Sequence, residues 1–292
     1  MSAADLVLLV ANVVYATSYV ATRLTLDAVP PATLALFRLV GGALILVPLA
    51  RRAAPGPRAV PGDRARIFWM GARGFAAAIA FAHWGITYST ATNAALLIVV
   101  EPLAIILLGP PLLGERLTRR EALGAALAVT GAVLVVADGV PGLTTTLAPH
   151  WRGDLLLVLA GRAYASYSLL GRGVLLRRPA LAVTAESIVW GAVVITPLAA
   201  AEWLAGARPV AGTSAIAGTV YLAVVITAGG YVAWNWALAR VPAPRAAVFL
   251  NVQPIVGALL GVVLLGDALT PFIGVGGALS VLGLALTVRN AR

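Results

Sequence analysis

Glu101 is the residue whose position most demands a chemical explanation. It lies near the middle of an apolar run over 91–113. A charge at that depth in a bilayer costs at least about 2.5–3.5 kcal/mol on insertion scales. Arg38 and Arg73 lie about seven or eight residues inside apolar runs over 31–50 and 66–88, and Arg162 sits similarly inside 154–174. Such charges need partners. In one reading Glu101 exchanges a proton or binds an amine, while an arginine holds a carboxylate. In the other, Glu101 and an arginine form a pair that only ties helices together. Arg162 has a third option, since its long stem can carry the guanidinium outward.

Next to Glu101 stands Pro102, and Gln253-Pro254 repeats the pattern in the second half. A proline inside a helix removes a donor and frees a carbonyl one turn earlier, so each is expected to kink its helix. Paired interruptions in two halves of a chain point to a binding site at mid-membrane. Gln253 and Asn251 would add hydrogen-bonding capacity there.

An aromatic set accompanies these groups. Asn12, Tyr15 and Tyr19 share a helix face at i, i+3, i+7; Tyr231, Trp234 and Asn235 cluster in a later run. Arg73 and Trp84 are eleven residues apart, nearly in phase on one helix. With Tyr164, these side chains offer a π-face and a polar tip suited to an organic amphiphile or a cation. Ordinary core packing would use the same residues. Trp69, Trp151, Trp190 and Trp203 fall near the ends of apolar runs, where an interfacial belt is the better reading.

Other chemistries are poorly provided for. The chain has no cysteine, which excludes disulfides and thiolate metal sites. Two histidines, His83 and His150, cannot build a histidine-rich metal centre, and no credible Ser–His–Asp set exists. No phosphate-binding loop, dinucleotide fingerprint or HExxH motif occurs. No cofactor is expected.

The elements that must position these residues are membrane helices. Of 292 residues, 61% are hydrophobic and 11% charged, with mean hydropathy +0.95. A soluble domain carries about 25% charged residues, so the chain is read as an integral membrane protein with the lipid bilayer as a partner. Apolar runs at about 5–25, 31–50, 66–88, 91–113 and 121–138 are followed by runs at about 154–174, 182–201, 214–238, 243–265 and 271–288. Each can cross a core of roughly 30 Å as a helix. No alternating pattern suggests a barrel. The first run opens on Asp5 rather than a basic segment, so it does not read as a cleavable signal.

Net charge is +10, and all basic residues are arginine. In a soluble protein this would suggest nucleic acid. Here the arginines fall in short loops, and nucleic-acid binding is not expected. With both termini inside, 15 arginines lie on the cytoplasmic side and only Arg23, Arg152 and Arg208 outside. That asymmetry selects ten spans with cytoplasmic termini.

An internal repeat agrees. Residues 94–136 and 246–288 align without gaps at an offset of 152, with 19 identities in 43 positions. Gly114-Glu115-Arg116-Leu117-Thr118 faces Gly266-Asp267-Ala268-Leu269-Thr270, and Gly124, Gly131 and Leu134 face Gly276, Gly283 and Leu286. Asp5, Ala11, Tyr15, Ala16 and Arg23 match Asp154, Ala160, Tyr164, Ala165 and Arg172 at an offset of 149. Five spans per unit is odd, so the second unit must be inverted in the membrane. The units are read as 1–138 and 154–292, joined by a linker over 139–153 rich in Gly, Pro and Thr. Small residues such as Gly257 and Gly261 mark close helix contacts and are compatible with a monomer or a homodimer.

Over nearly its whole length the chain resembles the EamA-type transporters of the drug/metabolite transporter superfamily. The resemblance is carried by Pro31 with Arg38, by Glu101-Pro102 with Leu113-Gly114-Glu115-Arg116-Leu117, and by Gln253-Pro254 with Leu265-Gly266-Asp267-Ala268-Leu269. Two positions depart from the family pattern. Tyr15-Ala16 stands where Trp-Gly is frequent, and Gln253 stands where an acid is frequent. The resemblance implies an all-α integral membrane fold, ten transmembrane helices as two inverted five-helix EamA repeats. It also implies export of amino acids or other small metabolites from a bacterium across its cytoplasmic membrane, with the aromatic-amino-acid exporters of the YddG type as the functional model. A small-molecule substrate would occupy a cavity between the repeats. A drug or other-metabolite transporter of the same fold, and an intramembrane lipid-modifying enzyme, are the alternatives.

Overall fold

The computed structural model describes residues 2–53, 60–113, 118–138, 150–175, 177–238, 249–250 and 252–288. Most of the expected linker, the 114–117 part of the Gly-Glu-Arg-Leu-Thr segment, Asn251, and Arg58, Arg116, Arg240, Arg245, Arg289 and Arg292 lie outside the described residues. The side chain of Asn235 also lies outside them.

Among the described residues the fold is all-helical. The first half contains α1 (Ala3–Leu26), α2 (Pro31–Arg52), α3 (Asp63–Gly71) and α4 (Ala78–Tyr88), with π-helical Ala72–Ala77 joining the last two. It continues with α5 (Ala91–Leu97), α6 (Val100–Leu113) and α7 (Arg119–Asp138). The second half contains α8 (Trp151–Leu175), α9 (Ala180–Leu204), α10 (Thr213–Val220) and α11 (Gly230–Leu238), with π-helical Tyr221–Gly229 between the last two. It ends with α12 (Val252–Leu265) and α13 (Pro271–Val288). Four segments are long and apolar enough to cross a membrane, Ala3–Leu26, Pro31–Arg52, Ala180–Leu204 and Thr213–Trp234, and shorter apolar helices accompany them.

Local sequence explains the boundaries. Ser2 accepts from the Asp5 amide and Asp5 accepts from the Ser2 amide, a capping box that starts α1. Pro31 opens α2, where a missing amide hydrogen costs nothing. The next two amides of α2, Ala32 and Thr33, donate to Glu202 at the far end of α9, each at 2.8 Å. A carboxylate from one helix thus caps another and ties α2 to α9. Asp267 does the same for α5, accepting from the Thr92 amide at 2.9 Å.

Close packing follows the small residues. α7 lies along α13 where a Cβ added to Gly131 would stand 2.4 Å from the Gly276 carbonyl oxygen, and one added to Gly283 would stand 2.5 Å from the Gly124 carbonyl oxygen. Only glycine allows that approach, as between membrane helices generally. The main core gathers Leu39, Leu46, Phe75, Ile79, Ile188 and Ile195 from α2, the α3–α4 region and α9.

Candidate substrate site

The run over 91–113 is not one kinked helix. It is interrupted at Ile98–Val99, and Glu101 and Pro102 fall in the first turn of α6. The physical reason is that proline is cheapest in a first helical turn, whose amides lack intrahelical partners anyway. The chain therefore breaks before Pro102 instead of bending around it. Pro254 stands at the matching repeat position within the helical residues of α12.

The two proline segments meet. Glu101, Pro102, Gln253 and Pro254 line a common cavity of about 40 Å³, closed by Ile98, Leu250 and Leu284 among others. From α1, Asn12 and Tyr19 reach the same place. Gln253 Nε2 donates to Asn12 Oδ1 at 2.9 Å, and Tyr19 Oη donates to Gln253 Oε1 at 3.3 Å. Asn12 is fully buried and its own Nδ2 is held by the Leu8 carbonyl at 2.8 Å. These bonds fix one amide–amide–phenol chain beside Glu101.

Arg38 faces this group from α2. Its Nε donates to Thr227 Oγ1 at 2.8 Å, and Thr227 Oγ1 donates to the Leu222 carbonyl five residues earlier at 2.9 Å. Thr227 is part of the second π segment, so the irregular turn supplies the acceptor that orients the guanidinium. Arg38 and Glu101 both act electrostatically on Tyr15, Tyr19 and Tyr164. The ring of Tyr15 lies against Gly230, where any Cβ would come within 2.6 Å of it. Tyr164, Tyr231 and Trp84 pack on the edge of the main core. Phe75 meets Tyr167 and Tyr231 edge-on at 5.2 and 5.4 Å. Among the described residues the Glu101 side chain has no hydrogen-bond or ion-pair partner, so no ion pair joins it to an arginine there.

Asn12, Tyr15, Tyr19, Arg38, Glu101, Tyr164, Tyr231 and Gln253 are thus brought together, with Trp84 at the margin. Two expected members are elsewhere. Arg73 is exposed and stacks on Trp69 at 4.7 Å. It lies in the π segment Ala72–Ala77. The extra residue of a π turn rotates all that follows by about 100°, which breaks the phase expected between Arg73 and Trp84. Trp234 packs on the cluster of Ala4, Leu8 and Ala237, between α1 and α11. Trp69, Trp190 and Trp203 are exposed, as a belt requires.

Sequence reading passed over Tyr167, one turn beyond Tyr164, and Thr227. It also passed over a buried polar cluster where α8 begins. Asp154 accepts from Asn93 Nδ2 at 3.0 Å and from Ser89, and pairs with His150 Nδ1 at 2.7 Å. Asp138 lies 3.5 Å from His150 Nε2 and accepts from Thr270 at 2.8 Å. The hydrogen bond with Asp154 raises the pKa of His150, against an opposing effect of burial, and Asp138 adds to the rise.

Comparison with known proteins agrees with this architecture. The model of the EamA-like transporter family matches residues 2–137 and again residues 151–289. The chain belongs to the EamA-like transporter family and is a membrane protein. It is 31% identical over 294 residues to a probable terminal-alkyne amino-acid exporter of Streptantibioticus cattleyicolor, covering 99% of this chain and 95% of that one. It is 27% identical over 207 residues to a probable amino-acid metabolite efflux pump of Salmonella typhimurium, covering 68% of each. A solved crystal structure shares the fold at a TM-score of 0.65 with 22% identity, covering 98% of this chain and 96% of that one.

Proposed function

We propose that the protein is a ten-span secondary transporter of the bacterial cytoplasmic membrane that exports amino acids or similar zwitterionic metabolites, aromatic ones included. The observation that carries this reading is the meeting of Glu101-Pro102, at the break before α6, and its repeat counterpart Gln253-Pro254 across one cavity. Beside that cavity stand one acid and one arginine that are not paired with each other. A zwitterion needs both signs: Arg38 suits its carboxylate, Glu101 its ammonium group, and the tyrosines its side chain.

An inverted relation between the halves is supported by the packing. Exchanging each helix for its counterpart leaves the main contacts in place. α2 meets α9 and α7 meets α13, pairs that map onto themselves. α4 meets α8 as α1 meets the α10–α11 region, and α6 meets α8 as α12 meets α1. The second π segment begins 149 residues after the first, the offset of the repeat itself. In this reading the halves 1–138 and 154–292 rock about the shared cavity, with both termini cytoplasmic. A cavity of about 40 Å³ has room for little more than a water molecule. The solute therefore enters only when the halves part, which alternating access requires.

The test is efflux from proteoliposomes loaded with labelled amino acids, comparing wild type with Arg38→Gln and Glu101→Gln. Selective, saturable release of at least one zwitterion by wild type, lost in both variants, is expected. Release of no amino acid, or equal release by all three proteins, would remove the reading.

A further inference from the structure

A second cavity lies on the lipid side of α6. It is a lateral groove of about 590 Å³ between α6, α7 and α8, walled by Leu103, Leu107, Ala132, Val133, Leu155 and Val158. Several of these walls are exposed, so the groove opens to the outer surface of the helices. Its volume is that of a pocket that holds an organic ligand. Among the described residues its lining is apolar except for Arg162.

Arg162 is out of place as a packing residue. It is the twelfth of 25 residues in α8, about 16 Å from Trp151 along the axis. Its neighbour Gly161 packs on Val100 and on the amide of Glu101, which sets Arg162 at the depth of the α5–α6 break. It is exposed, and among the described residues it has no hydrogen-bond or ion-pair partner. A guanidinium stays charged at any physiological pH. At that depth a counter-charge brought by an occupant of the groove would stabilise it.

We propose that the groove is a binding site for an anionic phospholipid of the bilayer, one acyl chain lying in the apolar trough and the acidic headgroup drawn in to Arg162. The stem of Arg162 leans toward the Trp151 end of α8, as helical side chains do, and local thinning of the bilayer shortens the remaining distance. A second copy of the chain fits the groove poorly. A two-fold contact there would bring two Arg162 side chains together without an acid. The proposal does not depend on what the central site transports.

The experiment is purification from vesicles of phosphatidylcholine alone and of phosphatidylcholine mixed with phosphatidylglycerol, followed by native mass spectrometry. Wild type should retain about one phosphatidylglycerol, and Arg162→Gln at least tenfold less. Arg162→Lys should keep part of the retention. Ala132→Phe, which fills the trough and leaves the charge, should lose it. Folding is checked by elution volume and helical circular dichroism. If Arg162→Gln fails to fold, the preference of wild type for phosphatidylglycerol and its loss in Ala132→Phe still decide. Equal retention of both lipids, or displacement of phosphatidylglycerol by equimolar oleate, would overturn the proposal. So would a disulfide-linked dimer of Val133→Cys in the membrane, a clean readout in a chain without native cysteine.

Discussion

The bond between Gln253 and Asn12 is the best-defined link between α12 and α1, and its strength can be worked out in advance. At 2.9 Å it has near-ideal length, whereas the Tyr19–Gln253 contact at 3.3 Å is long. Polar contacts between membrane helices measured by double-mutant cycles average about 0.6 kcal/mol and reach about 1.7. Asn12 is buried, and its amide nitrogen is already committed to Leu8. Gln253→Leu therefore strands Asn12 Oδ1 and also removes the long contact of the Tyr19 hydroxyl. The single substitution should cost about 1–3 kcal/mol, the penalty for an orphaned buried acceptor. In the double variant Asn12→Leu/Gln253→Leu the stranded amide oxygen is gone, the loss at Tyr19 is common to both Gln253→Leu proteins and cancels, and the cycle should return a coupling near 1 kcal/mol, roughly a fivefold change in an equilibrium constant. The assay is reversible unfolding of all four proteins in mixed micelles, followed by tryptophan fluorescence. A coupling below about 0.3–0.5 kcal/mol, the scatter seen for sites that do not touch, would show that these helices are not joined at this point.

Three further outcomes follow from the same geometry. Glu101→Gln keeps the shape of the cavity but removes its acid, so uptake or efflux should fall at least tenfold or lose its pH dependence; unchanged rates across pH would retire Glu101 from the mechanism. Thr227→Val removes the acceptor that orients Arg38, and should raise KM several-fold while Arg38→Lys, which cannot form a bidentate pair with a carboxylate, does so more strongly; equal KM in both variants and wild type would place the carboxylate elsewhere. His150 has a folded-state pKa raised above its ordinary value of about 6.5 by Asp154 and Asp138. Its stabilising contribution is thus complete below that value and lost as pH rises through the folded pKa. The Tm gap between wild type and His150→Gln should shrink from about pH 6 toward alkaline pH; a gap that widens would reverse the assignment.

Much of this was legible in the residues. The paired Glu-Pro and Gln-Pro, the tyrosines of α1 and the glycines joining α7 to α13 are signals that depend on side-chain type and fixed spacing, and the fold uses them so. Periodicity carried Asn12, Tyr15 and Tyr19 because α1 is an uninterrupted helix. It failed for Arg73 and Trp84 because a π turn lies between them, and nothing in Ala72–Ala77 announces one before the coordinates are seen. The expected kink at Pro102 became a break, since a proline two residues beyond a helix start satisfies the backbone better than one inside a longer helix. The cluster of Asn93, Asp138, His150 and Asp154 was hidden for another reason. Its members come from three separate stretches, around 93, 138 and 150–154, and each, taken alone, reads as a helix-end residue.

The measurement closest to the central claim is counterflow. Proteoliposomes preloaded with an unlabelled amino-acid panel should transiently concentrate the labelled form of at least one of them. Leu284→Trp, which crowds the space between Glu101 and Gln253, should abolish the overshoot while the protein still elutes as a folded particle. Overshoot that survives in Leu284→Trp, or none for any solute in wild type, would mean that nothing crosses the membrane between the two halves.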